Sequence, residues 1–479
     1  METKDILALM LLAMALMGWV GLTCISQRAR EVAFFLMTAL AVVSDRFDVN
    51  FLSRYWYRGS TRGIEISLID VIALSLFISS FLFPKKGFSR WRWPAGLGFM
   101  LLFFFYAFGS TLVIEPRLFG MFEISKMVRG LIFFLAAAMF VRSEREVGIL
   151  VFALCCAVCL EGALALKQRV FDYMGRSAGT LDHANSLSMY VCLVAPIFVG
   201  AINSALPRLL RWFSAIALAA ASFTIVATVS RAGIPIFLLV VLATTVFCIQ
   251  WRLTFQKIAT IAVVAVGVCV VGVKFSDDLK ERYFGSSLAE EYLDEKTIDS
   301  RGYYLRLARL MIEERFFGVG LNNWSYAVSK TYGKELNTSY SDYDDIPADF
   351  NEEEDLPMSF AAPAHNLCAL TVGELGVPGL VLFLLMWLRW LQIGVTFLWR
   401  RQRTTVHLVG IGLFFGMVGV FLQSLTEWIY RQTAIYLTFH VLIGALVSLY
   451  AIRKATNREV VPEPAFVEAE YELVETRAD

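Results

Sequence analysis

The chain has 479 residues, 57% of them hydrophobic and only 18% charged, with a mean hydropathy of +0.61 and a formal net charge of +1. That apolar content far exceeds the need of a soluble domain of this size and excludes one. Crossing a hydrocarbon layer of about 30 Å takes roughly 20 apolar residues per helix, and runs of that length fit helices rather than a barrel.

The predicted class is therefore an all-α polytopic membrane protein. Its hydrophobic runs, in chain order, are 6–24, 32–44, 66–83, 95–114, 121–141, 147–166, 184–205, 209–229, 234–251, 258–273, 367–388, 406–425 and 434–450. The second is short for a crossing, so the count is twelve or thirteen; a re-entrant or interfacial 32–44 would move the N-terminus to the other side. Run 6–24 follows no basic lead and precedes no A-x-A-like cleavage site, so it reads as a retained first helix. The eight cysteines (Cys24, Cys155, Cys156, Cys159, Cys192, Cys248, Cys269 and Cys368) fall within or at the ends of these runs, as small membrane-core residues without a metal pattern. The expected organisation is a transmembrane bundle over 1–274, a large outward loop over 275–364, further transmembrane helices over 365–452 and a polar cytoplasmic tail over 453–479.

Sidedness follows from Lys and Arg in short loops. One alternate set is basic: Arg28 and Arg30; Lys85, Lys86, Arg90 and Arg92; Arg142 and Arg145; Arg208 and Arg211; Arg252 and Lys257; Arg400, Arg401 and Arg403; Arg453 and Lys454. These are assigned to the cytoplasm, which places 275–364 outside. The opposite loops carry arginine almost exclusively, at Arg46, Arg54, Arg58, Arg62, Arg117, Arg169, Arg176, Arg231 and Arg431, with Lys167. Singly, each reads as ion-paired or snorkelling to a headgroup. As a set, their planar forks suit phosphate and suggest an outward face adapted to an anion.

Run 121–141 can span only if it includes Glu123, Lys126 and Arg129. Either Glu123 pairs with Lys126 at helical spacing while Arg129 snorkels outward, or the three line a basic cleft that takes a lipid-borne phosphate. Beyond it, Asp182-His183-Ala184-Asn185 opens one run and Ser230-Arg231-Ala232-Gly233 closes another at the same face.

Residues 275–364 hold nine Lys/Arg and nineteen Asp/Glu, with most of the acidic excess in 341–355. That stretch lacks the spaced pattern of an EF-hand and reads as a solvated segment without catalytic role. An amphipathic helix over 301–316 places Tyr304, Leu305, Ala308, Met311 and Ile312 on one face and Arg306, Arg309 and Glu313 on the other. Gly318-Val319-Gly320 then turns the chain back toward the bilayer, so the helix would serve as a lid or acceptor-side wall.

His365, in Pro363-Ala364-His365-Asn366-Leu367, stands where this loop meets a hydrophobic run that contains Glu374-Leu375-Gly376-Val377-Pro378-Gly379. An imidazole at such a mouth can move a proton at neutral pH. Asn366 or Glu374 could orient it or the acceptor; Glu374 reads equally as a structural helix polar. Pro378 would break the helix locally. His183, Arg231, Arg301, His365, Glu374, Glu427 and Arg431 all fall at one membrane face.

Three stretches together resemble the O-antigen ligase and polymerase superfamily of bacterial membrane glycosyltransferases: Ser300-Arg301 through Phe317-Gly318-Val319-Gly320-Leu321-Asn322-Asn323-Trp324; Ala364-His365-Asn366-Leu367 through the Glu374 to Gly379 motif; and Ser230-Arg231-Ala232-Gly233 with His183-Ala184-Asn185 upstream. The resemblance covers roughly 171–450. It implies a GT-C-like membrane fold and an inverting transfer, without metal or cofactor, from an undecaprenyl-diphosphate-linked glycan donor to a glycan or lipid-glycan acceptor. The setting would be the bacterial inner membrane, with the site facing the periplasm, the bilayer as partner and no nucleic acid. Carried over by position, His365 is the base and Arg231 and Arg301 the diphosphate clamp; Asn366, Glu374, His183, Arg176, Lys126, Arg129, Glu427 and Arg431 are substrate-binding candidates. The other class is a transporter or flippase of a lipid-linked sugar or small anion. Such a protein should show paired broken helices in both halves, and only the one near Pro378 is found.

Overall fold

A computed structural model of the protein describes residues 3–84, 91–248, 294, 297, 300–343, 346, 359–399 and 404–460. α1 (Thr3–Ile25) and α2 (Gln27–Leu40) open the chain, and a 3-10 turn (Ala41–Arg46) extends α2. A two-stranded antiparallel hairpin follows, β1 (Val49–Phe51) paired with β2 (Ile64–Ile66) in the register Val49 to Ile66. Then come α3 (Leu68–Leu82), α4 (Leu97–Val113), α5 (Arg117–Phe140), α6 (Glu144–Leu166), α7 (Ala184–Asn203), α8 (Arg208–Ala227) and α9 (Gly233–Cys248). α10 (Arg301–Glu314) precedes α11 (Leu367–Val395), α12 (Thr405–Ser424) and α13 (Thr433–Val460).

Among the described residues seven helices are long and apolar enough to cross a membrane, and α3, α4 and α9 are shorter apolar helices. The protein is an all-α polytopic membrane protein with a single small hairpin among the described residues. Run 32–44 is α2 and its 3-10 extension, packed against α1, α3 and α6. Run 258–273, most of the acidic stretch 341–355, the basic loops at 85–90 and 400–403, and the tail beyond 460 lie outside the described residues.

Local sequence sets the helix starts. Ser67 and Asp70 form a reciprocal capping box on α3, and Ser300, Asn366 and Thr404 accept from first-turn N–H groups of α10, α11 and α12. α7, almost wholly buried, packs against α8, α9 and α12, while α5 packs against α3 and α13. At the end of the bundle away from His365, Arg30 donates to the carbonyls of Thr23 and Phe83 (both 2.6 Å) and Arg453 to that of Trp399 (2.7 Å).

α10 departs from the expected face. Tyr303, Tyr304, Leu307, Ala308 and Met311 are buried, whereas Leu305 is exposed and Ile312 only half-buried. The stripe of Tyr304, Ala308 and Met311 holds; the flank rotates toward Tyr303, whose hydroxyl meets Thr338 Oγ1 at 3.0 Å.

α11 is kinked at Gly376 (φ 68°, ψ −174°), two residues before Pro378. Pro378 lacks an N–H and the kink diverts that of Val377, so carbonyls in the preceding turn lose helical partners. The segment 316–320 restores the account: Val319 N–H donates to Gly373 (2.9 Å), Gly320 N–H to Glu374 (2.8 Å), and Val377 N–H to Phe316 (3.1 Å). Tyr106 Oη donates to the Leu375 carbonyl at 2.8 Å. Gly318 (φ 81°) and Gly376 permit this approach, because a Cβ on either would overlap the other segment's backbone.

Candidate active site

His365 sits one residue outside the N-cap of α11, its side chain 40% exposed. The buried Tyr304 ring of α10 packs beside it at 5.6 Å between centroids. On its other side Glu427, from the turn between α12 and α13, brings Oε2 to 2.8 Å of Nδ1. Glu427 is only 4% exposed, so its charge needs partners. Asn185 Nδ2 donates to its Oε1 at 2.7 Å, and Arg301 Nη2 lies 3.5 Å from the same oxygen. Arg176 extends the chain, donating from Nη2 to Asn185 Oδ1 (2.6 Å) and from Nε to the Thr228 carbonyl (2.9 Å). Five segments far apart in sequence thus meet at one end of the bundle.

The remaining candidates distribute around this centre. Asn366 is a cap: Oδ1 accepts from Ala369 N–H (2.9 Å) and Nδ2 donates to the Leu425 carbonyl (2.7 Å), tying the α11 start to the Glu427 turn. His183 is exposed at the N-cap of α7, and Asn185 of the same motif supplies the contact to Glu427. Arg231 is half-buried in the turn between α8 and α9, three residues after the carbonyl that Arg176 holds. Of the four histidines, His407 and His440 are buried within helices.

Glu374 does not reach the imidazole. Its carboxylate meets Arg431 Nη1 at 2.6 Å, and Arg431 Nε meets Glu123 Oε1 at 3.1 Å. Lys126 Nζ closes the group, 2.8 Å from Glu123 Oε2 and hydrogen-bonded to Thr61 Oγ1 (2.7 Å) and the Arg431 carbonyl (2.6 Å). Two cations and two carboxylates balance, which is how such charges survive within a bundle. The adjoining cavity, lined by Phe103, Leu131, Arg431 and Tyr436, has a volume of about 40 Å³, small beside a lipid chain. Of the two readings of run 121–141, the geometry matches the Glu123–Lys126 pair and not an open basic cleft. Arg129 is a correction to both: instead of snorkelling it is buried among Asp48 (2.9 Å), Glu65 (3.2 Å) and Asp70 (2.8 Å).

Sequence reasoning missed Asn185 and Tyr304 as site residues, although both stood in stretches it singled out. Among the described residues no group of three or more His, Cys, Asp or Glu side chains is arranged to hold a metal ion.

Fold and site together define a polytopic membrane protein that gathers an imidazole, a carboxylate and arginines at one end of its helices. Residues 215–384 match the family model described as O-antigen ligase, a likeness that supports the O-antigen ligase and polymerase superfamily and a glycosyltransferase-type membrane enzyme. The matched stretch contains Arg231, Arg301 and His365, whereas Asn185 and Glu427 lie outside it. No curated protein matches the chain.

Proposed function

We propose that the protein transfers a glycan from an undecaprenyl-diphosphate carrier to an acceptor sugar hydroxyl at the outer face of a bacterial inner membrane, as a ligase or a polymerase does. The observation that carries this reading is the His365–Glu427 pair at 2.8 Å with Arg301 beside the same carboxylate. Glu427 on Nδ1 fixes the ring and leaves Nε2 as the atom that takes a proton, the division of labour of a carboxylate–histidine pair. Glu427 is then a positioning residue and His365 the base.

In this scheme the acceptor oxygen forms a bond to the anomeric carbon as the bond from that carbon to the phosphate oxygen breaks. The hydroxyl proton passes to His365 Nε2, the bonding electrons leave with the diphosphate, and configuration inverts. Charge grows on the departing diphosphate, where Arg301 and Arg231 act. The long 3.5 Å contact of Arg301 with Glu427 is one that a more highly charged diphosphate can displace. Arg176, through Asn185, holds the carboxylate from behind.

The test is transfer by purified wild type and His365→Ala, given an undecaprenyl-diphosphate oligosaccharide and candidate acceptors, at equal folded protein. Product from wild type alone, with donor bound by both, is expected. Carriage of the donor across vesicles without any transfer would move the assignment to a transporter.

A further inference from the structure

The loop joining β1 to β2 sorts its charges by side. At its base Asp48 and Glu65 turn inward onto Arg129, which they share with Asp70. The outer part, 52–63, contains Arg54, Arg58 and Arg62 and no acidic residue. All three arginines are exposed, and none of them is in an ion pair among the described residues. Three positive charges with no ion-pair partner among the described residues therefore stand four residues apart on one short loop.

The loop that carries them is rigidly seated. Tyr57 is fully buried, stacks on Phe119 at 3.7 Å, and donates its hydroxyl proton to the Asn322 carbonyl. Ser60 N–H and Oγ reach Asn322 Oδ1 at 2.8 and 3.0 Å, while Asn322 Nδ2 donates to the carbonyls of Thr61 and Phe119, both at 2.9 Å. Arg54 N–H bonds the Arg62 carbonyl at 2.8 Å, closing the loop on itself. A ligand meeting these guanidinium groups orders only side chains, which lowers the entropy its contacts must offset. Between the arginines, Tyr55 is 67% exposed, a ring of the kind that covers the apolar face of a sugar.

We infer that the 52–63 loop is a docking surface for an anionic glycan, a saccharide carrying carboxylate or phosphate groups, and that this glycan is the acceptor; the last clause rests on the transfer reading above. A bilayer surface fits less well, because insertion at an interface needs an apolar face free to enter it. Of the loop's apolar side chains, Trp56 and Tyr57 are held in packing against Tyr343 (5.6 and 5.5 Å), which stacks on Phe360 at 4.1 Å, and Leu52 and Tyr55 alone are exposed, two separate side chains rather than a continuous face. Burial pushes the Tyr343 phenol up to about 12, with the Ser325 hydrogen bond and the nearby charges of Arg58 and Arg62 acting against that rise.

The experiment uses full-length protein in phosphatidylcholine nanodiscs, titrated with hexagalacturonate and, as the neutral control, maltohexaose. Wild type, the triple variant Arg54→Gln, Arg58→Gln, Arg62→Gln, and His365→Ala are compared. Hexagalacturonate should bind wild type and His365→Ala alike, more weakly as salt rises, and at least about ten-fold more tightly than maltohexaose. The triple variant, with an unchanged thermal melt because its altered side chains are exposed, should lose at least about ten-fold. Equal binding by wild type and triple variant, or no binding by wild type, overturns the inference. So does a triple variant that differs from wild type only in retention on phosphatidylglycerol vesicles, which would make the loop a lipid contact. Binding is read without turnover, so failure of the transfer reading would register separately, as absent product.

Discussion

His365 Nδ1 and Glu427 Oε2 lie 2.8 Å apart although 62 positions of sequence separate them. In the transfer proposed above, a carboxylate there fixes which ring nitrogen faces the acceptor. Glu427→Gln keeps the shape and removes the charge; single-turnover transfer should fall about 100-fold or more while donor affinity stays within a few-fold. A variant that loses donor binding and rate together would instead mark Glu427 as part of the binding surface.

Arg301 Nε reaches the Thr426 carbonyl at 3.3 Å and Nη2 reaches Glu427, so its fork already faces the imidazole's partner. If it clamps the diphosphate, Arg301→Ala should abolish transfer and Arg301→Lys should lower it at least about ten-fold, since a point charge does not replace a bidentate donor. Arg231→Lys should behave likewise. Full activity in either lysine variant would argue against a bidentate contact at that position.

Gly376→Ala places a Cβ at φ 68° and against the backbone of Phe316 and Phe317. Backbone strain at this φ and ψ, a region almost confined to glycine, alone costs about 1–3 kcal/mol, and the overlap adds to it. Thermal melts in detergent should show a clear drop, with Gly18→Ala in α1, where a Cβ meets nothing within 4 Å, as the silent control. Equal melts for the two would mean that the kink relaxes without cost.

Asp48 shares one guanidinium with two other carboxylates, and burial pushes its carboxyl up to about 6 against the pull of Arg129. A raised folded value means that the folded state binds the proton more tightly than the unfolded chain. The contribution is thus complete below about pH 4 and is lost as pH rises through about 6. Across that window wild type should lose melting temperature relative to Asp48→Asn; parallel curves from pH 4 to 7 would count against a raised carboxyl.

Hydropathy and loop charge predict His183, Arg231, Arg301, His365, Glu374, Glu427 and Arg431 at one membrane face, because helices of membrane-crossing length leave a loop only two places to be; in the structure Arg301, His365 and Glu427 meet, and Glu374 and Arg431 form a separate buried pair. Hydropathy and charge could not choose the imidazole's carboxylate. Glu374, nine residues after His365, looks near in sequence, but nine helical residues carry it about 13 Å down the axis. Glu427 arrives from another helix pair, a relationship that no spacing encodes. The partners of Arg129 were hidden for a related reason: Asp48, Glu65 and Asp70 belong to a short hairpin and a capping box rather than to a periodic run. For α10, apolar residues flank the central stripe on both sides, and only the position of Thr338 and the neighbouring helix decides between them.

A helix that borrows hydrogen bonds from a loop is unfinished until that loop arrives. The first half of α11, with His365 at its head, hangs on the docking of Phe316, Val319 and Gly320 against Gly373, Glu374 and Val377. In the order in which the chain is made, 316–320 comes before α11, so the receiving edge exists when the broken helix is threaded into place. The imidazole meets Glu427 only from a turn further along the chain, beyond α12.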